Sequence, residues 1–140
     1  MRTIKFRGKQ CDNGEWVYGY YARLSNEFKE WHCIMTEKDA SENYIKDCNG
    51  YNMIYTPVNH NTVGQFTGLY DKNGKEIYEG DILKAGDVGL LEVRFVRGVF
   101  AFLWNGNLDD ECPTGSPTHE WADIIGNIHD NPDLMKGGKK

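Results

Sequence analysis

The chain contains no apolar run approaching the roughly 20 residues that a membrane-crossing helix needs. Its opening, Met1-Arg2-Thr3-Ile4-Lys5-Phe6-Arg7, interleaves charges where a secretory signal would need a continuous apolar segment. Cytoplasmic residence is therefore the expectation. Cysteine is sparse: Cys11, Cys33, Cys48 and Cys112 are separated by tens of residues without a C-x-x-C pair, which removes sequence support for a zinc knuckle and suits free thiols in a reducing compartment. An excess of positive charge is also missing. With 16 Lys and Arg against 21 Asp and Glu, the net charge of −5 disfavours a chain that coats phosphate backbones or anionic lipid.

Helical periodicity is nearly absent, and with it the βαβ crossovers of a parallel sheet. Phosphate-binding and nucleophile motifs are missing too: there is no P-loop, no G-x-G-x-x-G and no G-x-S-x-G elbow, and Gly86-Asp87-Val88-Gly89 has no helix following it. His32 and Cys33 are neighbours, but adjacent strand residues point to opposite faces. His119, Glu120, His129 and Asp130, with His60 apart from them, have no metal-ligand spacing. No cofactor and no metal are expected.

What is present is β-forming sequence cut by turn residues. Hydrophobic residues make up 39% of the chain and aromatics 13%, enough for a packed core within 140 residues. Alternation predicts strands at Thr3–Arg7, Glu15–Leu24, Trp31–Thr36, Tyr51–Val58, Val63–Phe66, Leu90–Val96, Val99–Trp104 and Trp121–Ile128, with shorter pieces at Ile77–Tyr78 and Ile82–Lys84. Pro57 and the polar run Asn59-His60-Asn61-Thr62 read as the end of a strand. Asp12-Asn13-Gly14, Asn73-Gly74, Glu79-Gly80-Asp81, Arg97-Gly98 and Asn105-Gly106-Asn107 read as reversals. Thr36–Cys48 and Asp109–Pro117 read as polar loops, and Asn131-Pro132-Asp133 as an N-cap, a first-turn proline and an early acid opening one helical turn.

The expected fold class is therefore mainly β: a small, strongly bent antiparallel sheet or SH3-like barrel with hairpins and one short C-terminal helical turn. Residues 1–140 form either one domain or two β lobes, 1–60 and a barrel-like 61–135, followed by a frayed basic tail at 136–140.

The stretch Val63-Gly64-Gln65-Phe66-Thr67-Gly68-Leu69-Tyr70-Asp71-Lys72-Asn73-Gly74-Lys75-Glu76-Ile77-Tyr78-Glu79-Gly80-Asp81-Ile82 resembles the YopX family of bacteriophage and prophage proteins. So do Ile4-Lys5-Phe6-Arg7 with Gly14-Glu15-Trp16-Val17-Tyr18-Gly19, and Ile125-Gly126-Asn127-Ile128-His129-Asp130-Asn131-Pro132-Asp133-Leu134. The similarity is weakest over residues 26–52 and 105–118. It implies a largely β fold, a mobile-element context and an oligomer, and it transfers no catalytic residue.

Three functions are compatible with these features. The first is a non-enzymatic, homo-oligomeric β binding module of phage or prophage, with a host or phage protein as a further partner. Exposed strand edges must be paired, covered or charged, and self-association is one route. The second is a binder of single-stranded nucleic acid or a small nucleotide, using Trp16, Arg94, Arg97 and Trp104 as stacking and charged groups. Its condition is that cations such as Arg7, Lys9, Arg23, Arg94 and Arg97 share a face with exposed aromatics. The third is a hydrolase or nuclease built on Glu79, Asp81 and His129. Glu79 and Asp81 flank Gly80, where carboxylates more often satisfy local backbone N–H groups.

Overall fold

The computed structural model describes residues 3–37, 45–46, 52–87, 89–109, 111–112 and 120–136. Its strands are β1 (Phe6–Gln10), β2 (Trp16–Ser25), β3 (Glu30–Glu37), β4 (Ile45–Lys46), β5 (Asn52–Tyr70), β6 (Glu76–Tyr78), β7 (Asp81–Ala85), β8 (Gly89–Val96), β9 (Val99–Trp104), β10 (Glu111–Cys112) and β11 (Asp123–Asn127). They are followed by helix α1 (Pro132–Lys136). The fold is mainly β, with two antiparallel sheets, one of them strongly curled. The chain divides into two compact units, Thr3–Gln65 and one beginning at Phe66.

In the N-terminal unit β1 pairs with both β2 and β5, β2 pairs with β3, and β3 pairs with β5, so four strands close on themselves. The inner face carries Phe6, Gly8, Gly19, Tyr21, Ile34 and Val58, with Gly8, Ile34 and Val58 buried. Two glycines make this tight curl possible. A methyl group on Gly8 would meet Val58 at 3.1 Å, and one on Gly19 would stand 2.2 Å from the Met35 carbonyl oxygen.

β5 corrects the sequence reading, because one strand runs through Pro57 and the polar run where an end was expected. Two features allow it. Pro57, which has no N–H to give, offers its carbonyl to Cys11 N at 3.1 Å. Asn59 to Thr62 form an excursion between two ladder segments, the register jumping from Lys9↔Asn59 to Arg7↔Gly64. Asn61 N donates to Asn59 Oδ1, Thr62 Oγ1 donates to Asn59 O, and Lys9 N donates to Thr62 Oγ1, so side chains satisfy what the ladder does not.

The C-terminal unit is a sheet in the order β10-β9-β8-β7-β11. One face buries Ile77, Leu83, Ala85, Leu91, Val93, Phe102 and Ala122, against which Leu69, Trp104 and Ile124 pack. The hairpin turns follow their sequences: Arg97-Gly98 and Asn105-Gly106 both have two successive positive φ values, as tight hairpins require. Asn73 does not use the left-handed region; its N–H bonds Asp71 Oδ1 and only Gly74 turns positive. At α1 the expected cap is displaced, since Asn131 Oδ1 accepts from Asn127 N at 3.3 Å instead of capping its own helix. Of the two polar loops expected from sequence, Ile45–Lys46 and Glu111–Cys112 are short strands, while residues 38–44 and 113–119, Cys48 and the tail beyond Lys136 lie outside the described residues.

Candidate functional site

The outer face of the N-terminal unit is set by register. Lys9 pairs with Trp16 and Arg7 with Tyr18, so these four side chains share a face. Continuing along β2, Tyr20 is opposite Met35, Ala22 opposite Cys33 and Leu24 opposite Trp31. The row then reaches β5 through Met35↔Tyr55 and Cys33↔Pro57. Tyr18, Tyr20 and Leu24 are 46%, 59% and 41% exposed. Arg7 is buried with its guanidinium carbon 4.5 Å from the Trp16 ring centre, and Lys9 Nζ is 5.7 Å from the same ring. At the far end Lys29 Nζ is 5.4 Å from the Trp31 ring. From Trp16 to Leu24 and across to Met35 the face holds aromatics, cations, Met and Cys and no carboxylate, which is the composition of an interface centre. Cys33 is buried within it, and burial, then the nearby Cys11 sulfur, pushes its thiol above the ordinary range and away from the reactive thiolate.

The opposite face of β2 and β3 carries a polar chain. Tyr21 Oη is hydrogen-bonded to His32 Nδ1, His32 Nε2 donates to Glu30 Oε2 at 3.1 Å, and Arg23 Nε donates to Glu30 Oε1 at 2.9 Å. The His60 ring stacks on His32 with centroids 4.6 Å apart. Hydrogen bonding to Arg23 holds the Glu30 carboxyl below the usual range. His32 pairs with Arg23 and Cys33 with Ala22, so the two sequence neighbours do project from opposite faces.

The four ligand-binding residues expected from sequence are not brought into one group. Trp16 belongs to the N-terminal unit and Arg94, Arg97 and Trp104 to the other. There Trp104 pairs with Leu91 and Arg94 with Ala101, positions of opposite parity on β8, so they project from opposite faces. Trp104 packs on the core. Arg94 grips buried Glu92 through two bonds, Nε to Oε2 at 3.0 Å and a terminal guanidinium nitrogen to Oε1 at 2.9 Å. Arg97 occupies the β8–β9 turn with φ 49°. Replacing Arg94 by Ala strands the Glu92 charge in a half-dry site, and a loss of about 1–2 kcal/mol in urea denaturation is expected. An unchanged midpoint would mean that the Arg94–Glu92 pair contributes nothing to stability.

Of the acids, Asp81 is buried and its Oδ2 accepts from Tyr78 N at 2.7 Å, the local role anticipated for that turn. His129 N donates to Asn127 Oδ1 in the turn before α1. His119 lies outside the described residues. The carboxylate that sequence reasoning missed is Asp71, which is 5% exposed. Its Oδ1 accepts from Asn73 N and Lys75 N, and its Oδ2 from Ile124 N. Lys72 N also donates to Ala122 O, and Asn73 Nδ2 and Lys72 Nζ both bind Asp123, so the Asp71-Lys72-Asn73-Gly74-Lys75 turn is sewn to the approach to β11. Among the described residues no group of three or more His, Cys, Asp or Glu could hold a metal, and no helix is long and apolar enough to cross a membrane.

These features define an all-β protein of two antiparallel sheets whose candidate site is an aromatic sheet face. A family model described as YopX protein matches residues 5–136, and the chain belongs to the YopX family. It is similar in fold to the crystal structure of protein EF1440 from Enterococcus faecalis, with a TM-score of 0.53 and 22% identity over 96% of this chain and 99% of that one. No curated protein matches the chain.

Proposed function

We propose that this chain is a non-enzymatic accessory protein of phage or prophage, acting in the host cytoplasm as a β module that self-associates through the outer face of β2. The observation that carries the reading is the row Trp16, Tyr18, Tyr20 and Leu24 with the Arg7–Trp16 stack, a row of β2 that carries no carboxylate. Trp, Tyr and Arg dominate interface energetics because they bury large area at modest entropy cost, and each central anchor is worth at least about 2 kcal/mol. Membership of the YopX family supports the mobile-element setting.

Native mass spectrometry tests the proposal. A discrete oligomer is expected for the natural protein, and the double variant Tyr18→Ser/Tyr20→Ser, altered at two exposed positions, is expected to run as a folded monomer. A monomeric natural protein, or an oligomer indifferent to the double change, removes this face from the role. A second reading, binding of an anionic aromatic ligand such as a nucleotide or single-stranded nucleic acid, is favoured by Lys9 and Lys29 standing over Trp16 and Trp31. Its mark is an added nucleotide or oligonucleotide mass that is lost as salt rises.

A further inference from the structure

The inner face of the N-terminal unit has no part in the proposed association, yet toward the β2–β3 turn it gathers five side chains that carry charge or protons. Tyr21 and Arg23 come from β2, Glu30 and His32 from β3, and His60 from the excursion in β5. On β1, Gln10 faces the same side opposite Val58 and is uncharged.

Their geometry specifies a protonation state. Glu30 accepts from His32 Nε2–H, so a neutral His32 ring keeps its lone pair on Nδ1, where the Tyr21 hydroxyl donates. Arg23 occupies Glu30, which stays ionised to below the usual carboxylate range. Imidazole is the side chain whose charge ordinarily changes between about pH 7.5 and 5, and the cluster holds two of them, stacked. A single positive charge in the stack has the Glu30 carboxylate, bonded to His32, as its counter-charge. A second places two like charges at 4.6 Å, beside Arg23.

We propose that the His32–His60 stack is a proton-sensitive latch, holding the β5 excursion against β3 while at most one ring is charged and releasing it when both are. What is released is defined. Residues 59–62 are also tied to β1 by the Lys9↔Asn59 pairing and by Lys9 N to Thr62 Oγ1 at 2.9 Å, while Asn61 N to Asn59 Oδ1 at 3.0 Å and Thr62 Oγ1 to Asn59 O lie within the excursion. His60 is exposed, so solvent protons reach it. Opening would loosen the β1–β5 pairing at Lys9, the point where the four-stranded ring closes.

The test is amide hydrogen exchange of the full chain at about pH 7.5 and 5, corrected for intrinsic exchange rates. In the natural protein the Lys9 and Asn61 amides should lose protection by about tenfold or more at the lower pH. In His60→Gln, a change at an exposed ring that removes one titrating group, that acid-dependent loss should vanish. Amides of β9 serve as the internal reference and should hold their protection in both proteins. No acid-dependent loss in the natural protein overturns the latch, and so does the same loss persisting in His60→Gln.

Discussion

Replacing Asp71 by Ala is expected to lower the stability of the C-terminal unit by about 3 kcal/mol, read as a fall in the urea midpoint at constant slope. The side chain is buried, and three main-chain N–H groups depend on it. Two of them shape the turn before β6, and the third, from Ile124, ties that turn to β11. Removal leaves donors buried without partners, the costly side of hydrogen-bond accounting. Burial alone would raise the Asp71 carboxyl, but the donors from Lys75, Ile124 and Asn73 outweigh it, and the group titrates below the ordinary carboxylate value. A depressed folded value has a definite consequence for acid stability. The contribution is complete above the unfolded value of roughly 3.9 and is lost as pH falls from there through the folded value. The difference between natural protein and Asp71→Ala should therefore be constant from pH 7 to about 5 and shrink below 4. A gap that stays constant down to pH 2 would show that the stabilisation does not come from the ionised carboxylate.

Gly19→Ala should be comparably severe for a different reason. No unusual φ is involved at this position; the obstacle is space, since the added methyl would stand 2.2 Å from the Met35 carbonyl oxygen and 3.1–3.2 Å from Thr36 and Ile34 methyl carbons. The nearest atom is backbone, so β3 must move away from β2, and with it the pairing that positions both faces of the hairpin. A loss of about 3 kcal/mol or more is expected, with weakened dispersion in the near-ultraviolet from the displaced tyrosines and tryptophans. Gly86→Ala is the matched control. It sits at φ 56° in open space and should cost only about 1–2 kcal/mol. Equal losses in the two variants would mean that β3 yields at Gly19 without penalty.

Most of the strands could be read from the chain because their signals are local. Leu91, Val93 and Phe95 alternate with Glu92 and Arg94, and Arg97-Gly98 supplies the two positive φ values a tight hairpin needs. The YopX resemblance was legible from Val63–Ile82, with Ile4–Arg7, Gly14–Gly19 and Ile125–Leu134, and the family match covers residues 5–136. β5 was not legible. Pro57 and Asn59 to Thr62 are local breakers, and they are overruled by partners far away in sequence, Cys11 N for the Pro57 carbonyl and Lys9 N for Thr62 Oγ1.

The candidate site divides along the same line. The sequence determined that Trp16, Tyr18 and Tyr20 share one face of a strand, because side chains in a strand repeat every two residues. It also determined that His32 and Cys33 part company. It could not place Arg94 and Trp104 on opposite faces, since that depends on the register across the β8–β9 hairpin and on Leu91 being the residue opposite Trp104. Nor could it bring His60 onto His32, which requires β3, an excursion in β5 and closure through β1 at once. Periodicity and turn chemistry act over a few residues and are written in the chain. Register and ring closure are settled by packing between segments tens of residues apart, and only the tertiary structure decides them.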